Sequence, residues 1–302
     1  MKIFVTGGSG FIGSNLVIRL LGENHDIIIT AHPDEQQISG FKGMYVSRQL
    51  SDIDWNAVGK VDILFHFAAI NDPTHEDRDE VLNVNFYASK ELFRHAIQNG
   101  CRRIIYASST MVYGNIPPPH REEGPLNPIT YYGESKLLLD QFAMEYAKDH
   151  PEITIVGLRF CNVYGPRENH KGKRASVIYQ FAQHMKYGNP KLFNHGEQKR
   201  DFIYVKDVVR ANLLAMHAKE SCIVNCAFGK AVSYNDLIKI LNKILKTNRE
   251  AEYIDNPYGN KYQLHTECDM TLAKEKLGFV PKFDIETGIA DYYQSGFLLA
   301  YN

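Results

Sequence analysis

Apolar residues in the first half of the chain gather into short unbroken runs, and the stretches between them repeat with helical spacing. The runs are "KIFVT" (2–6), "DIIIT" (26–30), "VDILFHFA" (61–68), "RRIIYAS" (102–108) and "ITIVGLRF" (153–160). They are rich in β-branched residues and lack polar alternation, which predicts strands buried on both faces. Helices are predicted over 11–22, 78–99 and 130–149. Strands alternating with helices define an α/β fold with a doubly wound parallel sheet of Rossmann type. Such sheets bind ligands beyond the carboxyl ends of their strands.

After residue 165 the pattern loosens into "GPRENHKGKR", then a predicted helix over 174–187 and a strand-like "RDFIYV" (200–205). Further helices are predicted over 206–218, 233–246, 270–277 and 284–298. The expected organisation is a dinucleotide-binding domain over 1–165, joined by returning segments near 200–232. A smaller substrate-binding lobe takes up most of 166–302.

The glycines of "VTGGSGFIG" (5–13) change this picture from a fold to a site. Gly7, Gly10 and Gly13 follow the first strand and open the first helix, where glycine permits a tight turn and close approach to a pyrophosphate. A carboxylate for the ribose hydroxyls is expected about twenty residues further on. Ala31 and His32 stand there instead, and no arginine marks a pocket for a 2′-phosphate. The expected cofactor is therefore NAD or NADP.

In "YYGESK" (131–136), Tyr132 and Lys136 are four apart on a predicted helix, share a face and can meet. With 18 tyrosines in the chain, a Y-x-x-x-K spacing is expected about once by chance. Tyr187 and Lys191 show it too, but Gly188 and Pro190 between them break any helix. Tyr131 is offset from Tyr132 by about 100° around the helix axis. A tyrosine is a poor base until a nearby Lys⁺ and an oxidised nicotinamide favour its phenolate. Bringing its pKa near 7 takes roughly 4 kcal/mol. The third member is expected at the end of a strand in "ASSTMVYG" (107–114), with Ser109 preferred and Ser108 and Thr110 as alternatives.

Composition narrows the partners. Lys plus Arg (34) and Asp plus Glu (35) nearly cancel, which leaves no basic field for nucleic acid. No run is long and apolar enough for a membrane span, and no signal-peptide core opens the chain. The five scattered cysteines, Cys222 and Cys226 among them, lack the spacing of a zinc site and read as reduced thiols of a cytoplasmic protein. No metal is expected.

"TGGSGFIG", "FHFAA" (65–69), "NVN" (83–85), "SSTMVYG", "YYGESK", "NVYGP" (162–166) and "RDFIYVKD" (200–207) together resemble the extended short-chain dehydrogenase/reductase family that acts on nucleotide sugars. The resemblance runs end to end. It implies a Ser109–Tyr132–Lys136 triad, Asn85 supporting the lysine, and Phe11, Ile12, Ala68 and Ala69 along the cofactor. It also implies that Thr110, Asn162, Phe193 and Arg200 contact the nucleotide sugar, and that the protein is a homodimer. Thr110 and Met111 follow Ser109 where the sugar 4,6-dehydratases of the family carry Asp-Glu, so dehydration is not expected.

Two segments, 162–177 and 259–279, look like the ADP-glycero-manno-heptose 6-epimerases. That likeness implies substrate-side roles for Tyr262 and Lys171, the latter as a second acid–base group. Lys173, Arg174 and Gln180 depart from that group's Ser, Met and His, as Ala31 does from its aspartate. The expectation is a nucleotide-diphosphate-sugar epimerase working through a ketosugar. Its alternatives are a ketosugar reductase or dehydrogenase using the same residues, and a cofactor-sensing protein that does no chemistry.

Overall fold

The computed structural model describes residues 1–30, 38–46, 49–255 and 263–300. Its centre is a seven-stranded parallel sheet. Six of the strands are β1 (Lys2–Thr6), β2 (Asp26–Thr30), β3 (Met44–Val46), β4 (Ile63–His66), β5 (Arg103–Ser109) and β6 (Thr154–Phe160). The spatial order is β3-β2-β1-β4-β5-β6, closed at the far edge by Cys222–Cys226 beside β6. The order reverses between β1 and β4, where a doubly wound sheet opens its ligand crevice.

Two-residue alternation within the apolar runs explains the layers. Ile3, Val5, Ile27, Ile29, Phe65 and Ile105 face one core, packed against helices Phe11–Leu21 and Val205–Ala215. Phe4, Ile28, Leu64, Ile104, Tyr106 and Ile155 face the other, under helices Ala88–Gln98 and Tyr131–Asp149. A third core joins Ile178, Phe181, Tyr204, Leu237 and Tyr292 in the later part of the chain, and Phe11 belongs to it. The first helix therefore touches both the sheet and the later elements.

Several predicted elements differ in detail. The helix expected over 78–99 runs as Arg78–Leu82 and Ala88–Gln98, joined by a π-helical turn at Asn83–Tyr87. "RDFIYV" is two strands. Lys199–Asp201 pairs with Ala231–Ser233 and His265–Thr266, whereas Ile203–Tyr204 pairs with Val163–Tyr164. The break follows from Asp201. Its fully buried carboxylate accepts the backbone N–H groups of Phe228, Gly229 and Cys268 at 2.9–3.2 Å, which ties the strand to a second layer. The helix expected over 174–187 begins at Val177, where the Ser176 hydroxyl caps Tyr179 N at 3.2 Å. The strand Met44–Val46 escaped prediction because it is an edge of three residues with Met44 and Tyr45 exposed. No helix among the described residues is long and apolar enough to cross a membrane.

Candidate active site

The carboxyl ends of β1, β4 and β5 open into one cleft of about 880 Å³, within the size range of ligand sites. Its first wall is the glycine loop. Gly7 has a φ of +64°, and a Cβ there would lie 2.9 Å from Ala68 N. A Cβ at Gly13 would lie 2.1 Å from Gly7 O, so only glycine lets the helix start this close to the turn. Thr30, ending β2, holds the loop by accepting Gly7 N–H on its hydroxyl at 2.7 Å. Helix Phe11–Leu21 has no side-chain cap at Gly10, and Gly10, Phe11, Ile12 and Gly13 at its start line the cleft, where the leading N–H groups of a helix lack intrahelical partners. An uncapped helix start behind a glycine turn fits the diphosphate of a dinucleotide.

The second wall carries the reactive groups. Ser109 ends β5 and lines the cleft with Tyr132, and its hydroxyl accepts Met111 N–H at 3.2 Å. Thr110 is turned away and donates to Phe160 O at 3.3 Å, while Ser108 is buried facing Asp140. Of the three hydroxyls, Ser109 is the one that acts on the Tyr132 phenol. Helix Tyr131–Asp149 starts where Thr130 caps Gly133 N at 3.0 Å, which presents Tyr132 and Lys136 in its first turns. Tyr131 points outward and is exposed. Lys136 is buried, its Nζ 5.7 Å from the Tyr132 ring centroid and donating to Ala107 O at 2.8 Å.

Burial pushes the Lys136 ammonium down to about 8, against the pull of Asp140. Burial also raises the Tyr132 phenol, while the Ser109 hydroxyl acts to lower it. The protein alone therefore does not deliver the lowered phenol pKa expected from the spacing. A phenolate at Tyr132 needs a further positive charge in the cleft. Beneath Lys136, Asp140 pairs with Arg159 at 3.0 Å and accepts the Tyr106 hydroxyl at 2.8 Å. Arg159 also donates to Tyr113, which donates to Asn225 at 2.7 Å. The sequence reading missed this buried network. Its signals were an arginine within the apolar run of β6 and Asp140 four residues beyond Lys136.

The third wall is the turn Asn169–Arg174. Glu168, fully buried, shapes it by accepting Gly165 N at 3.1 Å, Ser176 N at 2.6 Å and the Ser176 hydroxyl at 2.9 Å. Lys171 projects into the cleft with its Nζ 5.4 Å from the Phe11 ring centroid. Burial lowers the Lys171 pKa, and Glu168 partly restores it.

Gly7, Gly10, Phe11, Ile12 and Gly13 line the cleft together with Ala68 and Ala69. Ser109, Tyr132, Lys136, Asn162 and Lys171 do so as well. Other expected residues stand back from it. Asn85 lies in the π-helical turn and braces Ile70 at both its N–H (2.8 Å) and its carbonyl (2.9 Å), and it donates to Ser135 at 3.1 Å. It thus positions the loop after β4. Arg200 is buried and spends its guanidinium on Lys199 O at 2.8 Å and on Gln263 O. Phe193 and Thr110 are likewise absent from the lining among the described residues. Ala31, His32 and Tyr262 lie outside the described residues. Arg174 lines the cleft on the same turn as Lys171, and Asp72 lines it without having been expected there.

A glycine-turn helix start and a Ser–Tyr–Lys cluster in one crevice define a nicotinamide-dependent enzyme of the Rossmann type. The profile of the NAD dependent epimerase/dehydratase family matches residues 3–227, and the chain belongs to that family. It is 35% identical to the ADP-L-glycero-D-manno-heptose-6-epimerase of Alkalilimnicola ehrlichii, over 96% of each chain. The Helicobacter pylori enzyme of the same name has a structure with a TM-score of 0.89 and 34% identity, covering 97% of this chain and 95% of that one. UDP-glucose 4-epimerase of Thermotoga maritima, solved with UDP-glucose, matches with a TM-score of 0.88 and 29% identity over 98% and 99% of the chains.

Proposed function

We propose that this protein epimerises a nucleoside-diphosphate sugar, with a heptose as the leading candidate, by transient oxidation to a ketosugar. The observation that carries the reading is the convergence of Ser109, Tyr132 and buried Lys136 on the cleft that the glycine loop also lines, with Lys136 Nζ 5.7 Å from the Tyr132 ring centroid. Bound NAD or NADP supplies the acceptor and later the donor of a hydride. Ser109 and Tyr132 hold the sugar hydroxyl between them, and Tyr132 takes its proton as the alcohol is oxidised. Lys136, charged at neutral pH and held by Ala107 O, favours the phenolate during that transfer. Lys171, partly desolvated on the opposing turn, is the second group able to hold a proton next to the sugar.

The heptose assignment draws on the two heptose epimerases at 35% and 34% identity and on Lys171. The purified enzyme, assayed with ADP-glycero-manno-heptose and with UDP-, GDP-, CDP- and dTDP-sugars, tests it. Product should form without net change in nicotinamide absorbance. Steady consumption of cofactor would instead establish a reductase or dehydrogenase. Turnover of a UDP-hexose but not of the heptose would overturn the sugar assignment alone.

A further inference from the structure

The segment from Gly165 to Arg174 runs across the cleft along a path set by its own contacts. Asn15, on the first helix, donates to Pro166 O at 2.9 Å, and Arg167 Nε donates to Ser14 Oγ at 2.8 Å. The segment is therefore clamped to the helix whose N-terminus faces the cleft. Glu168 then fixes the turn from the inside, through Gly165 and Ser176. Lys171 lies over the ring of Phe11, the first residue of that helix. Arg174 ends the turn and lines the cleft, and its charge acts on Asp72 in the loop that follows β4.

Phe11 and Asp72 belong to the two sides of the crevice, one at the helix start and one beyond β4. The turn thus suspends two cations above the groove that the uncapped helix addresses. Arg174 forms no ion pair with any of the described residues, and its charge adds to the burial that already lowers Lys171. Each of the two like charges meets one carboxylate, Lys171 that of Glu168, whose oxygens already serve Gly165 and Ser176, and Arg174 that of Asp72 across the cleft, with no ion pair formed among the described residues. An anion in the groove would relieve that repulsion. Arg200 is not among the residues that line the cleft.

We propose that Arg174 is a ligand of the cofactor's diphosphate, and that residues 165–174 form a strap over the bound dinucleotide. The guanidinium fork pairs with phosphate oxygens from the side opposite the helix N–H groups. The proposal rests on a nicotinamide dinucleotide occupying this cleft. An enzyme that returns its hydride in each turnover has no need to release the cofactor, and a charged strap slows that release.

Calorimetric titration of the full-length enzyme, stripped of cofactor, with NAD and with NADP tests the assignment. Arg174→Ala should weaken binding of both about tenfold, and Arg174→Lys should recover part of the loss, because a lysine keeps the charge without the fork. Asp72→Asn should not weaken binding, since it removes a negative charge. The ratio between wild type and Arg174→Ala should shrink as salt rises from about 0.05 M to about 1 M. Thermal unfolding of the stripped variants should match wild type, because Arg174 pairs with none of the described residues. Unchanged dinucleotide affinity in Arg174→Ala would overturn the proposal, and a raised KM for the sugar nucleotide alone would assign the arginine to the substrate. If wild type bound neither dinucleotide, the cofactor reading beneath the proposal would fall instead.

Discussion

Replacing Lys136 by methionine separates what the site needs for chemistry from what the fold would prefer. The ammonium is buried and titrates near 8, against an ordinary lysine value of 10.5. At 1.36 kcal/mol per pH unit, that gap is roughly 3 kcal/mol of folding stability forgone at neutral pH. The sign follows from proton counts. Between the two values the unfolded chain holds the proton and the folded chain has lost it, so wild-type stability rises with pH through that window. Methionine fills a similar volume without charge. It leaves Ala107 O without its donor, which costs about 1–3 kcal/mol. Asp140 keeps its pairings with Arg159 and Tyr106.

Cofactor-free Lys136→Met should therefore be at least as stable as wild type at pH 7, by up to about 2 kcal/mol. That advantage should shift toward wild type by roughly 2 kcal/mol between pH 7 and 9.5. Turnover should fall about 10²-fold or more. Urea denaturation at both pH values, with wild type and variant side by side, cancels the titrations the two proteins share. A stability difference independent of pH would show that Lys136 does not carry a depressed pKa. A variant clearly less stable at pH 7 would show that its hydrogen bond outweighs its desolvation.

Tyr132→Phe keeps the ring packing and removes the proton-transfer group, so cofactor binding should persist while turnover drops about 10²-fold or more; Tyr131→Phe should be near wild type. Wild-type kinetics in Tyr132→Phe would remove the phenol from the reaction. Lys171→Ala should slow turnover about tenfold or more, and Lys171→Arg should rescue little, because an arginine does not give up its proton. Normal rates in both variants would return Lys171 to a structural role and weaken the case for a heptose. With Ala31 in place of a carboxylate, NAD and NADP affinities should agree within about tenfold, and Ala31→Asp should shift preference toward NAD. A hundredfold preference of the wild type for NAD in calorimetry would refute that expectation.

The parts of this site that could be read from the chain are those whose geometry is local. A glycine turn between a strand and a helix, and a Tyr–Lys pair one helical turn apart, need only spacing to specify contact. The main strands were legible for a similar reason, since burial on both faces leaves unbroken apolar runs inside β1, β2 and β4, with polar residues only at their ends. Where direction depended on partners far along the chain, the reading stopped short. "RDFIYV" looks like one strand until Asp201 is seen capping a loop near residue 228. Arg200 could be read only as a phosphate ligand, and the backbone carbonyls of Lys199 and Gln263 that accept from its guanidinium were not legible in the chain. Lys136 carries the same lesson into the chemistry. Its partner tyrosine is visible in "YYGESK", but its pKa is set by burial beneath Ala107 and by an Asp140 that Arg159, from a different strand, has already claimed. Arg159 holds Asp140 where its charge offsets part of the burial of Lys136, and so helps keep that lysine protonated at neutral pH. The residue that reads as an oddity in an apolar strand is then part of the support for the base role proposed for Tyr132.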